Sequence, residues 1–119
     1  MDLPAMINQI KNHPEFSKAG MVLYHNGVVR DRSRAGRPVR SLTVTVDQEK
    51  LGRILGRTRA MPGIVDVLVH INSDTPLVVG DDVMFLAVAG DIREHVIDAL
   101  TYALDRIKTE ATAKTQVFA

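Results

Sequence analysis

The sequence predicts an α+β fold, in which a mainly antiparallel sheet carries packed helices. Two observations predict it. Helix and strand signals run in the order α, β, β, α, β, β, α, β, so strands come in pairs with no helix between them. The composition, 119 residues with 45% hydrophobic and 24% charged, is that of one globular domain with a modest core.

Each element has its own signal. In "LPAMINQIKNH" (3–13), Leu3, Met6, Ile7 and Ile10 recur at helical spacing, with Pro4 in the first turn and Pro14 as the stop. Gly20 opens the β-rich "MVLYHNGVVR", which runs to Arg30, and "PVRSLTVTV" (38–46) has the mixed apolar and Ser/Thr pattern of a half-buried strand. Asp47 is a candidate N-cap for a helix with Leu51, Ile54 and Leu55 facing inward, weakened by Gly52 and Gly56 and stopped by "MPG" at 61–63. "IVDVLVHI" (64–71) and "DVMFLAVAG" (82–90) read as strands joined by a turn-rich segment. Asp91 and Glu94 form a capping-box-like start for the last helix. Its inner face is read as Val96, Ile97, Leu100, Leu104 and Ile107, through to about Glu110. A short strand, "TQVF", follows.

Several chemistries find no support. Without cysteine there is no disulfide, thiolate metal site or cysteine nucleophile. His13, His25, His70 and His95 lie on unrelated elements, none at metal-ligand spacing, and no metal or other cofactor is implied. Neither phosphate-binding glycine fingerprint is present, and Asp81 and Asp82 read as a solvated turn. The longest apolar run, Val83 to Ala89, falls far short of the roughly 18 residues of a membrane span, and the start "MDLPAMINQ" has no signal-peptide regions. The expected location is the cytoplasm, with no membrane contact.

Charge is distributed unevenly. Residues 1–60 carry eleven Lys/Arg against five Asp/Glu, and residues 61–119 carry four against nine. "VVRDRSRAGRPVR" (28–40) alone holds five arginines, placed by Gly36 and Pro38 in the connection between two strands. Opposite-signed halves argue against a uniformly basic nucleic-acid binder, and few aromatics leave little for base stacking. At the other end of the chain, Lys108 and Lys114 flank the point where the last helix gives way to extended chain. Interaction with the helix dipole explains such a lysine; a role as acid, base or carbonyl anchor in a pocket is the functional alternative. Arg93, in the first turn of that helix, is a cation where the dipole disfavours one, which a ligand anion would explain.

"AGMVLYHNGVVR" and "VGDDVMFLAVAGDIREHVIDALTYALDRIKT" resemble the glycine, strand, GxVR segment and the strand, xxR, long helix, LKT region of the molybdopterin synthase large (catalytic) subunit family. Together with the His70 strand, the likeness runs from about Ala5 to Phe118. It implies one such domain over 1–119, an α/β hammerhead-like fold, and a homodimer within a heterotetramer. The implied partner is a small ubiquitin-like sulfur-carrier subunit whose Gly-Gly tail ends in a thiocarboxylate. The implied reaction transfers sulfur from that tail, twice, to cyclic pyranopterin monophosphate, making the molybdopterin dithiolene. By position, the resemblance assigns Arg30 and Arg93 to the substrate's phosphate or pterin, with His70 beside them. Lys108 and Lys114 take the catalytic roles. Cations suit this chemistry because thiocarboxylate, phosphate and oxyanion are all negative.

The chain departs from the family pattern at identifiable places. Ile92 stands where a histidine is usual before the helix-start arginine, Ile71 where an arginine follows the strand histidine, and "TEATA" precedes the second lysine. "TVTVDQEK" replaces an "EHYxxM"-like segment. A second reading therefore stays open: a catalytically impaired homologue that binds the carrier or a phosphorylated ligand as a scaffold. Arg32, Arg34 and Arg37 are read either as a loop closing over substrate or carrier, or as a solvated loop, and Arg40 as part of the next strand.

Overall fold

The computed structural model describes residues 1–119. Helix α1 (Leu3–Lys11), strands β1 (Met21–Val28) and β2 (Val39–Val46), helix α2 (Gln48–Arg59), strands β3 (Ile64–Ile71) and β4 (Asp82–Gly90), helix α3 (Arg93–Arg106) and strand β5 (Thr112–Phe118) follow in the predicted order. The fold is α+β. A 3-10 turn (Phe16–Lys18) precedes β1, and a π-helical turn (Ile107–Ala111) joins α3 to β5.

The strands form two antiparallel sheets, not one. β4 is the centre of a three-stranded sheet in the order β1-β4-β3, while β2 pairs only with β5. The continuous apolar run of β4 has a direct cause in this topology, because a central strand with helices on both faces is buried from Met84 to Gly90. Met84, Leu86 and Val88 meet α2 and α3 on one face, in a cluster that includes Leu51, Ile54, Val96 and Ile107. Phe85, Ala87 and Ala89 meet Met6 and Ile10 of α1 on the other. The β2–β5 ribbon has its own small core of Val29, Val39, Leu42, Val44 and Leu77. Its open edge is closed by the segment before β4, through paired backbone bonds between Leu42 and Leu77.

Local signals explain the helix starts in two cases out of three. Asp2 accepts from the Ala5 N–H at 2.8 Å, and Asp47 accepts from the Lys50 N–H at 3.0 Å. At α3 the capping box does not form. The N-cap is Ile92, and the Asp91 carboxylate turns instead to the Ile92 N–H and to His95 Nδ1, 2.7 Å away. Gly63 explains the diversion. Its φ is +75°, and a Cβ there would collide with Asp91 and His95, so the β3 approach, the α3 entrance and this ion pair share one tight space.

The inner face of α3 also differs from expectation. Ile97 is exposed, whereas Val96, Ala99 and Ala103 are fully buried, with Leu100 and Leu104 at the margin. Ala99 and Ala103 take the sheet-facing positions, and the bulkier Ile97 lies on the exposed side of the helix. No helix is long and apolar enough to cross a membrane.

Candidate functional site

The site begins where β1 stops. The register of β1 against β4 shifts between Gly27 and Val28, ending the ladder two residues short of the predicted Arg30. Val29 is then buried and held from both sides: its N–H donates to the Asp81 carbonyl (2.9 Å), and its carbonyl accepts from the Gly80 N–H (2.8 Å). Arg30 thus leaves the fold from a fixed backbone point.

The arginine segment after it is ordered by its own bonds. Ser33 and Arg37 exchange backbone and hydroxyl contacts, Gly36 turns with φ +85°, and Arg32 Nη1 donates to the Gly36 carbonyl at 3.2 Å. Arg37 lies over the Phe118 ring, 3.8 Å from its centroid, which ties the loop to the end of β5. Arg40 lies within β2, as expected.

On the opposite wall, the π turn buries Ile107 and Ala111 and leaves Lys108 exposed. The turn is held at both ends. Thr112 Oγ1 donates to the Ile107 carbonyl at 3.0 Å, and the Asp47 N–H donates to the Ala111 carbonyl at 2.8 Å. Inserted residues of this kind recur at functional sites because they re-aim side chains within an otherwise regular helix. β5 then begins at Thr112, three residues before the predicted "TQVF", and its period of two puts Lys114 and Gln116 on one face.

These pieces enclose an open cavity of about 330 Å³. Its rim and walls include Arg30, Arg32, Arg34, Lys108, Lys114 and Gln116, over an apolar floor of Val29, Val39 and Leu42. The five cations share the space with no carboxylate, and none of them forms a salt bridge. Such a cluster is electrostatically unfavourable by itself and is relieved by an anion.

Of the five residues assigned from the sequence, three converge here: Arg30, Lys108 and Lys114. Arg93 and His70 do not line the cavity. Arg93 is the first residue of α3, its side chain 76% exposed and paired with Glu94 at 3.8 Å. Helix rise places it about 20 Å along the chain axis from Lys108. His70 pairs with Phe85 on the α1 face of the three-stranded sheet, and its Nε2 lies 3.0 Å from Asn72 Oδ1. Arg32, Arg34 and Gln116 are lining residues that the sequence left unassigned or ambiguous. The i, i+2 spacing of Lys114 and Gln116 was the available signal, hidden by the late predicted start of the strand.

His25 is a further residue near this site. It continues the Met21, Leu23 face of β1 toward α3, opposite Leu86, and its Nε2 is buried with no hydrogen-bond partner. Burial first, and then the charge of Lys108, hold its pKa below the usual histidine value. A second recess, of about 380 Å³, lies on the α2 side of the π turn between Lys50, Arg53, Arg57, Thr109 and Glu110. Its lining includes the carboxylate Glu110, its Arg53 is paired with Glu49, and it contains none of the five assigned residues. No three His, Asp or Glu side chains cluster as a metal site requires.

Comparison with known proteins agrees with this architecture. Residues 1–110 match the family model described as MoaE protein. A search of curated proteins gives no match. Among solved structures, the chain is similar to molybdopterin cofactor biosynthesis protein E from Burkholderia multivorans, at 25% identity and a TM-score of 0.77, covering 100% of this chain and 85% of that one. It also shares the fold of molybdopterin synthase from Staphylococcus aureus, at 23% identity and a TM-score of 0.73, covering 86% of this chain and 77% of that one. A Helicobacter pylori structure described as a complex of subunits 1 and 2 of molybdopterin-converting factor has the same fold, at 13% identity and a TM-score of 0.73, covering 100% of this chain and 84% of that one. With the family model matched over nearly its whole length, the chain belongs to the MoaE protein family, that of the molybdopterin synthase large subunits.

Proposed function

We propose that this chain is the catalytic large subunit of a molybdopterin synthase. It takes sulfur from the C-terminal thiocarboxylate of a small ubiquitin-like carrier and transfers it to cyclic pyranopterin monophosphate, twice, to make the dithiolene. Family membership supports a role in molybdopterin biosynthesis. The observation that carries the finer reading is the convergence of Arg30, Lys108 and Lys114 on one carboxylate-free cavity.

The chemistry asked of these residues follows from charge. Arg30 presents a planar fork suited to a phosphate or the pterin edge. Lys108 and Lys114 face the thiocarboxylate: its sulfur bonds to the pterin, and water then attacks the carbonyl carbon of the resulting thioester. The lysines stabilise the oxyanion and move the protons, and the carrier leaves as a carboxylate while its sulfur stays on the pterin. The carrier tail must arrive extended, and the cavity wall formed by β5 offers strand backbone alongside it. A homodimer within a heterotetramer that includes two carriers belongs to the same proposal, and sedimentation of the purified complex tests it.

The deciding experiment combines the purified chain, thiocarboxylated carrier and cyclic pyranopterin monophosphate, and measures dithiolene. Product is expected from the native chain and none above background from Lys108→Ala; undiminished yield from the variant removes Lys108 from the mechanism. The placement of Arg93 and His70 outside the cavity favours a second reading, a scaffold that binds carrier or phosphorylated ligand without turnover. Tight carrier binding with no product, where an authentic synthase works, supports that reading instead.

A further inference from the structure

His25 is one of four histidines scattered over unrelated elements, and neither the phosphate-binding nor the sulfur-transfer roles above use it. Its surroundings are unusual for a structural histidine. A buried imidazole nitrogen normally has a partner, and leaving one without costs more than the bond is worth. Nε2 of His25 has none.

The direction of the ring is set by Gly27. A Cβ on that glycine would stand 3.5 Å from His25 Nε2 and 3.4 Å from Met84 Cγ. Nε2 is therefore directed along β1 over Gly27, toward the bulge at Val28 and the cavity that Arg30 enters. The same face of the sheet packs against α3, and Ile107, the residue before Lys108, belongs to the core cluster that includes Leu86, the cross-strand neighbour of His25. Lys108 forms no salt bridge, so its ammonium is not committed to a carboxylate. Lys108 is near enough for its charge, after burial, to lower the imidazole pKa.

We propose that His25 is a positioning residue for Lys108: its neutral imidazole accepts a hydrogen bond at Nε2 from the Lys108 ammonium and seats that group in the cavity beside Arg30 and Lys114. A carboxylate in this place would also hold the lysine, but it would neutralise the field that attracts the anion. A neutral acceptor orients the ammonium and leaves its charge available. Acceptance at Nε2 requires the proton on Nδ1, so the proposal specifies the tautomer.

The inference rests on the sulfur-transfer reading, and its test separates the two. Single-turnover dithiolene formation is compared for the native chain, His25→Phe and His25→Gln at saturating carrier and pterin. His25→Phe is expected to slow the reaction about tenfold, the scale of one charge-assisted hydrogen bond, with carrier affinity unchanged. Glutamine, whose side-chain oxygen can accept, is expected to keep the rate within about threefold of native. A native rate in His25→Phe, or equal losses in both variants, would overturn the proposal. If phenylalanine impairs folding, His25→Leu makes the same comparison with a smaller side chain. A native chain that forms no dithiolene would count against the functional reading alone. In that event the imidazole 15N spectrum of the ligand-free chain decides: the Nδ1–H tautomer with an accepting Nε2 is expected, altered in Lys108→Met, and identical His25 signals in both proteins would refute the pairing.

Discussion

Lys114 stands opposite Val44 in the β2–β5 ladder, and this register brings a residue near the C-terminus into the cavity that Arg30 enters from β1. Because strand side chains alternate, the same face carries Gln116 into the cavity wall. Inserting one alanine between Ala113 and Lys114 moves every later side chain of β5 to the other face unless the ladder slips with it. Dithiolene formation by this insertion variant is expected to match that of Lys114→Ala, about tenfold or more below native. Retention of the native rate would show that Lys114 does not act from this register.

Arg30→Ala removes a cation at a point where the backbone is clamped through Val29 on both sides, so the loss is expected in ligand affinity with little change in folding. Affinity for the phosphorylated pterin should fall by roughly 10- to 100-fold, the range for losing a charge-assisted fork, with Arg30→Lys intermediate. Calorimetric titration with the pterin, beside a thermal melt, separates the two effects.

Gly63→Ala is expected to destabilise the fold by about 2 kcal/mol or more, since it combines a left-handed backbone with a collision. The added methyl meets Asp91 and His95, so the α3 entrance must shift with it. Gly52→Ala provides the contrast, with open space at its Cβ position and a helical site where alanine is preferred: a gain of about 1 kcal/mol or less. Urea denaturation midpoints check both.

Stability should depend on pH through His25. Its folded pKa lies below the 6.5 of an unfolded histidine, so as pH falls through that value the unfolded chain takes up the proton first. Stability is therefore level above this window and declines as pH drops toward the depressed folded value. His25→Gln should flatten that decline. The cross-strand neighbours Met84 and Leu86 do not titrate, so neither opposes it. Asp91 adds a separate loss at lower pH: its carboxyl is held below the usual range by the bond to His95, and the stability it contributes disappears as pH falls through that lowered value. Denaturant midpoints at pH 7.5, 6.0 and 5.0 measure the slope, and a flat profile in the native chain would contradict the placement of His25.

Local sequence was a good guide wherever one physical signal dominated. Asp2 and Asp47 cap helices as their positions imply, and the apolar run of β4 required burial on both faces. It misled where two elements compete for the same group. Asp91 looks like a cap in sequence, but in the fold His95 and the close approach of Gly63 claim its carboxylate. Ile97 fits the helical period as well as Ala99 does, and in the packed fold it is the alanine that is buried.

The sequence by itself determined the order and type of the elements, the arginine-rich connection, and the likeness to molybdopterin synthase large subunits, because propensity, periodicity and motif order are properties of neighbouring residues. Tertiary structure decided which charged residues meet. Arg30, Lys108 and Lys114 come together only because β5 folds back on β2 and a π turn re-aims the chain after α3. The same packing leaves Arg93 at the far end of α3 and His70 on the other face of the sheet. It also points the unassigned His25 toward the cavity, since the face a strand residue occupies and the space beside it are set by contacts distant in sequence.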